Sequence, residues 1–379
     1  ALVIEGAGSP AEINLKDSDI VNMRVAKLLQ APVLLVADID RGGVIASLVG
    51  TMELLDPDER ALVKGFIINK FRGDVSLLQP ALDFLEQKTG KPVLGVIPHM
   101  PKLDIDDEDS VSLDDKKGDF SKELDIAVIR LPKISNFTDF EALDAEPDAS
   151  VRYVNTLTEL GDPDLIILPG SKNTTEDLLH LKESGLETAI VRKNKAGTPV
   201  IGICGGYQML GQRVDDPQHT ESTLDGLAGI GLLPTSTVFL PDKITHQVQV
   251  RAAGHDFLSL DYTADALRGY EIHMGRTSYL APVRHAFMVD RGDGAWLADG
   301  VIRDDGLVMG SYIHGIFDND EYRRQLLNSL RARKGLDGLQ AGQLSMHARK
   351  EAAYDRLADT VRRHLDLSRV YAAMGVERA

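Results

Sequence analysis

The sequence predicts a two-domain α/β protein, with each domain built on a parallel sheet covered by helices. Three observations lead there. The chain has 379 residues, more than one compact core normally supports. Short, nearly continuous apolar runs alternate with helix-like segments, the pattern of parallel strands buried on both faces. That alternation runs twice, and the polar, acidic stretch 102–124, "KLDIDDEDSVSLDDKKGDFSKEL", separates the two series in the manner of a linker. The expected domains are 1–101 and 125–379.

In chain order, "ALVIEG" (1–6) reads as a buried strand ending in glycine. "SDIVNMRVAKLLQ" (18–30) reads as a helix capped by Ser18, with Ile20, Met23 and Leu28 near helical spacing. "PVLLVADID" (32–40) is a continuous apolar strand and "VIASLVGTMELL" (44–55) a helix. "VKGFIINKF" (63–71) and "KPVLGVIP" (91–98) are further strands, with a helix over "SLLQPALDFLEQKTG" between them. The second series begins with strands "DIAVIRL" (125–131), "DLIILPG" (164–170) and "PVIGIC" (199–204). From about 230 the pattern changes to shorter strands such as "ITHQVQVRAAG" and "GYEIHMGRTSYL". From Glu321 onward the chain reads largely as helix, a tail assigned to the second domain.

Composition narrows the function classes. Hydrophobic residues make up 43% and charged residues 26% of the chain, as in ordinary globular proteins. A formal net charge of −16 argues against a nucleic-acid partner, which needs clustered Lys and Arg. No apolar run reaches the ~20 residues of a membrane span. A single cysteine excludes an internal disulfide and fits a reducing, cytoplasmic setting.

That cysteine is the strongest candidate for chemistry. In Gly202-Ile203-Cys204-Gly205-Gly206 an apolar strand stops at the thiol and a helix begins just after it. The form G-x-C-x-G is the thiol counterpart of the serine elbow, and its glycines permit a tight turn. A thiol at a helix start meets the positive end of the dipole, which favours thiolate, and backbone N–H groups there can hold an oxyanion. A buried structural cysteine is the ordinary alternative, and the flanking glycines weigh against it. The base this nucleophile needs is best supplied by His314 in "GSYIHGIFDN", at the end of an apolar run and before Gly315.

"GICGGYQMLG" followed by "YIHGIF" resembles a class I glutamine amidotransferase domain, most closely the CobB/CobQ-type branch found in cobyric acid and cobyrinic acid a,c-diamide synthases. The resemblance implies a flavodoxin-like fold. It also implies that Cys204 attacks the glutamine amide, forms a thioester and releases ammonia, with His314 as general base and acid. "LPGSKNT" (168–174) is similar to the loop shaping the oxyanion and glutamine pocket, which implies backbone roles for Gly170 and Gly205. The wider class carries a glutamate two residues after the histidine. Here that position is Ile316, with Asp318 two further on, so a Cys–His dyad is expected. Glu271 and His273 in "GYEIHMG" are second-tier candidates by the same resemblance, or simply an edge-strand pair.

In the first half, Glu5 ends a strand beside glycines, where a carboxylate can bind Mg²⁺. Asn69, at another strand end, could read a purine edge. Asp38, Asp40 and Arg41 precede a Gly-Gly turn and a helix, whose N-terminus suits an anion. Together "IEGAGSPAEINL", "DIDRGGV" and "INKFRGD" resemble the dethiobiotin-synthetase-like P-loop ATPase-type domain of the same branch, and with "RLPKISNFTDF" and "YIHGIFDN" further on they run in the order of its cobyric acid members. Yet no G-x-x-x-x-G-K-[ST] phosphate loop occurs here; Gly90-Lys91 is followed by Pro92. Because "ALVIEG" starts mid-strand without an initiator Met, the expectation is an N-terminally truncated member, lacking a strand, the loop and roughly a hundred residues.

The resemblance implies amidation of four peripheral carboxylates of a cobyrinic acid diamide, using glutamine, ATP and Mg²⁺, with no permanently bound cofactor. Glutamine and a corrinoid polycarboxylate are the implied partners, and a homo-oligomer stays open. Two alternatives also stay open: a catalytically dormant amidotransferase fold serving as a binding or regulatory module, and an amidotransferase with another polycarboxylate as acceptor.

Overall fold

A computed structural model of the chain describes residues 2–101, 103, 105, 118–253, 257–259, 266–341 and 345–376. Contacts divide the chain into two units, Ala1–Ile105 with Lys350–Ala379, and Asp106–Arg349. Most of the expected linker, at 102, 104 and 106–117, lies outside the described residues.

The first unit holds a three-stranded parallel sheet, Val33–Asp38, Val63–Phe71 and Val93–Pro98, side by side in sequence order. Helices Val44–Leu54 and Gln79–Thr89 form the connections, as parallel pairing requires. Leu35, Val63, Phe66, Ile68 and Leu85 make the core between the layers.

Three expectations fail in this unit, each because local pattern lost to available partners. Residues 2–6 form no strand and are exposed, because an apolar run becomes a strand only beside a neighbour that completes its hydrogen bonds. The helix expected over 18–30 covers only Met23–Leu29. The Asp19 carboxylate accepts from the N–H groups of Val21, Asn22 and Arg24, which holds residues 19–22 in a turn. The helical tail expected to belong with the second domain divides instead. Helix Asp320–Arg333 stays with the second unit, whereas residues 350–376 pack on the first. Gly95 bridges Leu365, and the Asp366 N–H donates to the Leu94 carbonyl at 2.7 Å. The tail thus occupies the open edge of Val93–Pro98, a place where unpaired backbone invites a partner. Only glycine permits this, since a Cβ on Gly95 would lie 2.2 Å from the His364 carbonyl oxygen.

In the second unit five parallel strands lie in the order Ala149–Val154, Leu124–Ile129, Leu165–Leu168, Val200–Ile203, Val308–Ser311, with Val301–Ile302 antiparallel at the outer edge. Numbered along the chain, the parallel strands run 2-1-3-4-5, the flavodoxin-like order expected, whose functional crevice lies outside the carboxyl ends of the strands. Near-continuous apolar strands bury every residue of Leu165–Leu168 and Val200–Ile203. Helix Asp320–Arg333 is anchored by buried charges: Arg324 pairs with Glu146 and Asp148, and Arg331 with Asp148.

The region past 230 contains long strands where short ones were expected. Thr235–Ala252 pairs antiparallel with Leu267–Tyr279 along nearly its whole length. The register shifts between Phe239 and Ile244, so the exposed Pro241, Asp242 and Lys243 form an irregularity rather than an end. Local polarity looked like a boundary there.

Gly95→Ala is expected to destabilise the first unit by about 1–3 kcal/mol. Hydrogen exchange would show faster exchange across 350–376, with Leu124–Ile129 unaffected. Unchanged exchange in 350–376 would refute the edge-docking account.

Candidate active site

Four carboxyl-terminal strand ends of the second unit supply the site. Cys204 follows Val200–Ile203 with φ 51° and ψ −107°, a left-handed, strained conformation. Its N–H donates to the Ser311 carbonyl at 2.8 Å, and its carbonyl accepts from Gln208. Flanking glycines are required by contact: a Cβ on Gly206 would lie 2.0 Å from the Leu168 carbonyl oxygen, and one on Gly202 2.6 Å from Leu210. The thiol, 7% exposed, points at the Ile272 carbonyl oxygen 3.6 Å away.

His314 follows the neighbouring strand Val308–Ser311. Its backbone exchanges both hydrogen bonds with Tyr270, and the two rings stack at 5.1 Å. On one side of the ring, Nδ1 lies 2.7 Å from the Asp139 carboxylate, whose other oxygen accepts from the Gly315 N–H at 2.9 Å. Nε2 is buried without a hydrogen-bond partner among the described residues. Burial opposes the charged ring, yet the Asp139 carboxylate and Cys204 outweigh it and lift the imidazole to about 10. His314 therefore carries a proton at neutral pH.

Asp139 overturns the expected dyad. Position 316 is a buried isoleucine, and the orienting carboxylate comes from the loop after the first strand of the sheet, Leu124–Ile129. It lies within "RLPKISNFTDF", a stretch already singled out, but no spacing linked it to a histidine 175 residues later.

Gly170 lies against the His314 ring, and Gly205 follows the nucleophile. A Cβ on Gly170 would lie 3.3 Å from the His314 ring, and one on Gly205 2.9 Å from the Ser171 nitrogen. The 170–171 backbone thus approaches the first turn of helix Gly205–Leu210, whose leading N–H groups have no partner within the helix. This is the layout of an oxyanion hole. Beyond it, the Thr174 hydroxyl donates to Gln208 at 3.0 Å, while its N–H donates to Glu221 at 3.2 Å. Burial raises the Glu221 carboxyl to about 7 against the pull of Thr174. The sequence reading passed over Glu221, which sits in an unremarkable polar loop.

Glu271 and His273 project from strand Leu267–Tyr279 on the face opposite Tyr270, so they do not join Cys204 and His314. Arg291 grips Glu271 with two hydrogen bonds, 2.7 and 3.1 Å, and His273 stacks on Tyr312 at 3.8 Å.

In the first unit, Asp38 and Asn69 are register partners; Asp38 ends its strand, whereas Asn69 lies inside Val63–Phe71 rather than at the strand end expected, because the pairing continues to Phe71. Asp38 pairs with Lys70 at 2.8 Å and Asp40 with Arg72. Arg41 ends the short turn that follows. Glu5 is exposed in irregular chain. Among the described residues no cluster of three or more His, Cys, Asp or Glu could hold a metal ion, and no helix is long and apolar enough to cross a membrane.

Residues 125–322 match the CobB/CobQ-like glutamine amidotransferase domain, and residues 1–106 match an AAA domain. Fold and comparisons define the class as an ATP-dependent amide ligase that draws nitrogen from glutamine. Cobyric acid synthase of Moorella thermoacetica is 54% identical, covering 100% of this chain and 73% of its own length. That of Dehalococcoides mccartyi is 50% identical over 98% of this chain and 74% of its own, and that of Streptococcus sanguinis 51% over 99% and 74%. The chain belongs to the cobyric acid synthase family.

Asp139→Asn would lower the glutaminase kcat by roughly a hundredfold or more while leaving KM within a few-fold. Steady-state glutamate release measures this. An unchanged kcat would remove Asp139 from the machinery.

Proposed function

We propose that the chain serves the amidation of four peripheral carboxylates of adenosylcobyrinic acid a,c-diamide, with Cys204 hydrolysing glutamine to supply ammonia. The observation that carries the glutaminase half is the line of thiol, imidazole and carboxylate, Cys204, His314 and Asp139, assembled at strand ends around a strained turn.

The thiolate attacks the amide carbon of glutamine, and the oxyanion is held by backbone N–H groups of Gly205 and the 170–171 turn. The His314 Nε2–H gives its proton to the leaving nitrogen, the C–N bond breaks, and ammonia departs from a thioester. Water then attacks the thioester as His314 takes its proton, and glutamate leaves with the thiol restored. Asp139 holds the Nδ1–H throughout, so Nε2 always faces the reaction. Glu221 lies one residue beyond the Gly205 turn, through Thr174, where an ionised carboxylate would pair with the α-ammonium of glutamine.

For the nucleotide, Asn69 would read the base; the same strand's end, at Phe71, lines a cavity of about 390 Å³ with Val96, Pro98 and His99. Asp38, Asp40 and Arg41 would face the phosphates, with Glu5 a ligand for Mg²⁺. ATP supplies the activation that makes each carboxylate open to displacement by ammonia. These 379 residues contain no G-x-x-x-x-G-K-[ST] loop, so the phosphate contacts that such a loop makes are not among those named here. A corrinoid with several free carboxylates is the acceptor this reading requires.

Cys204→Ser should abolish glutamine-dependent amide formation by the synthase while ammonium chloride still supports it. Retained glutamine use would disprove the nucleophile assignment. Glu221→Gln is expected to raise the KM for glutamine about tenfold, equal to ~1.4 kcal/mol. With its pKa raised to about 7, Glu221 is neutral below that pH and ionised above it, so the KM of the unaltered enzyme should fall as pH rises from 6 to 8. A flat pH profile would argue against the ion pair.

A further inference from the structure

The loop after Leu124–Ile129 carries two parts of the site on a short length of chain. Ile134–Ser135 pairs antiparallel with Gly170–Ser171, the turn beside the oxyanion position, and Asp139 holds the His314 ring a few residues further on. Between them lies Asn136, left-handed at φ 52° and ψ 37°, whose carbonyl accepts from the Asp139 N–H at 3.0 Å. Asparagine takes this conformation more readily than most residues. Its side chain reaches out of the loop: Nδ2 donates to the Tyr270 hydroxyl oxygen at 2.7 Å, across 134 residues of sequence.

Tyr270 belongs to strand Leu267–Tyr279 and meets the same machinery from the other side. Its N–H donates to the His314 carbonyl at 3.1 Å, and its carbonyl accepts from the His314 N–H at 2.9 Å. The preceding Gly269 permits this approach, since a Cβ there would lie 2.4 Å from the Ile313 side chain and 2.7 Å from the His314 carbonyl oxygen. The Tyr270 ring stacks on the imidazole, with 5.1 Å between centroids and 19° between planes. Two residues on, the Ile272 carbonyl oxygen faces the thiol at 3.6 Å. Burial and the Asp139 carboxylate push the Tyr270 hydroxyl up to about 12, so the phenol keeps its proton at neutral pH.

These contacts close a ring. The strand holds His314 by backbone and by ring face, His314 holds Asp139 through Nδ1, and the Asp139 loop returns to the strand through Asn136 and the Tyr270 hydroxyl. An imidazole stacked on one face and bonded at Nδ1 has its Nε2 direction fixed. Were the loop to drift from the strand, the carboxylate would move with it and the ring could turn. A displacement of about 1 Å in such a pair can cost a hundredfold in rate.

We propose that Tyr270 is a positioning residue of the glutaminase reaction, its hydroxyl latched by Asn136 so that the Asp139 loop stays fixed against the ring of His314. The inference rests on Cys204 being the glutaminase nucleophile and His314 its acid and base. The latch acts on turnover rather than on glutamine binding, because it aligns the proton-transferring pair and leaves Thr174 and Glu221 untouched.

The test uses Tyr270→Phe, which keeps the ring and removes the hydroxyl, and Asn136→Gly, which keeps the left-handed backbone and removes the amide. Both singles and the double variant are made in the full chain and followed by steady-state glutamate release, with thermal melting as a check on folding. Each single change should lower kcat about tenfold and leave the KM for glutamine within about twofold. The double variant should lie within about twofold of the slower single, because both changes break one bond. A kcat within twofold of the parent in Tyr270→Phe, whatever its melting temperature, would make the bond purely structural and overturn the proposal. Losses that multiply in the double variant would also overturn it, as two independent effects, and so would a raised KM at unchanged kcat, which would place Tyr270 in the glutamine pocket. Should Asn136→Gly fail to fold, the kcat and KM of Tyr270→Phe decide alone. Failure of the underlying reading shows separately, as glutaminase activity retained by Cys204→Ser.

Discussion

Everything in the second unit is arranged around one left-handed residue at the end of a central strand. Cys204 at φ 51° costs on the order of 1–3 kcal/mol, and the fold meets that cost with close packing. The Gly206 backbone lies directly on Leu168, and Cys204 is tied by its own N–H to Ser311. That last bond belongs to the parallel pairing of Val200–Ile203 with Val308–Ser311, so the turn that presents the thiol also sets where His314 emerges. A looser turn would lose the attack geometry and the histidine together.

Charge is handled locally, against the chain's global excess of acid. His314 and Asp139 are both buried, with side chains 0% and 3% exposed, so neither can lose its partner without stranding the other. The same logic fastens Arg323, Arg324 and Arg331 to Glu146 and Asp148 beneath the last helix of the unit. Strand Leu267–Tyr279 adds a further division. Its alternation of side chains places the Tyr270 ring on the hydrolytic side and His273 on the other, so the element that walls the thiol also keeps Glu271 and His273 away from it.

Several of these features were legible in the residues alone. Glycines on both sides of Cys204 announced a sharp strand-to-helix turn, and the apolar run ending at His314 announced a strand end; both readings depend only on neighbouring residues. Asp139 stayed hidden because its partner is far along the chain, and the usual position, Ile316, offered nothing in its place. Glu221 was invisible for a related reason: burial beside Thr174 makes it unusual, and burial is a property of the folded chain. Residues 2–6 and 350–376 misled in opposite ways, since strand formation at the first and docking at the second turned on which edges were available.

What the sequence carried by itself was the alternation of strands and helices in both units and the sharp glycine-flanked turn at Cys204; the flavodoxin-like fold was implied by resemblance, and the strand order came from the structure. Alternation and turns are carried by periodicity and by glycine placement, which act over a few residues. The tertiary structure decided the third member of the catalytic line, the separation of Glu271 and His273 from the thiol, and the allegiance of the C-terminal helices. Those outcomes depend on which loops share the carboxyl end of a sheet, which face of a strand a side chain takes, and which backbone edge is left unpaired. None is set until strands distant in the chain lie side by side.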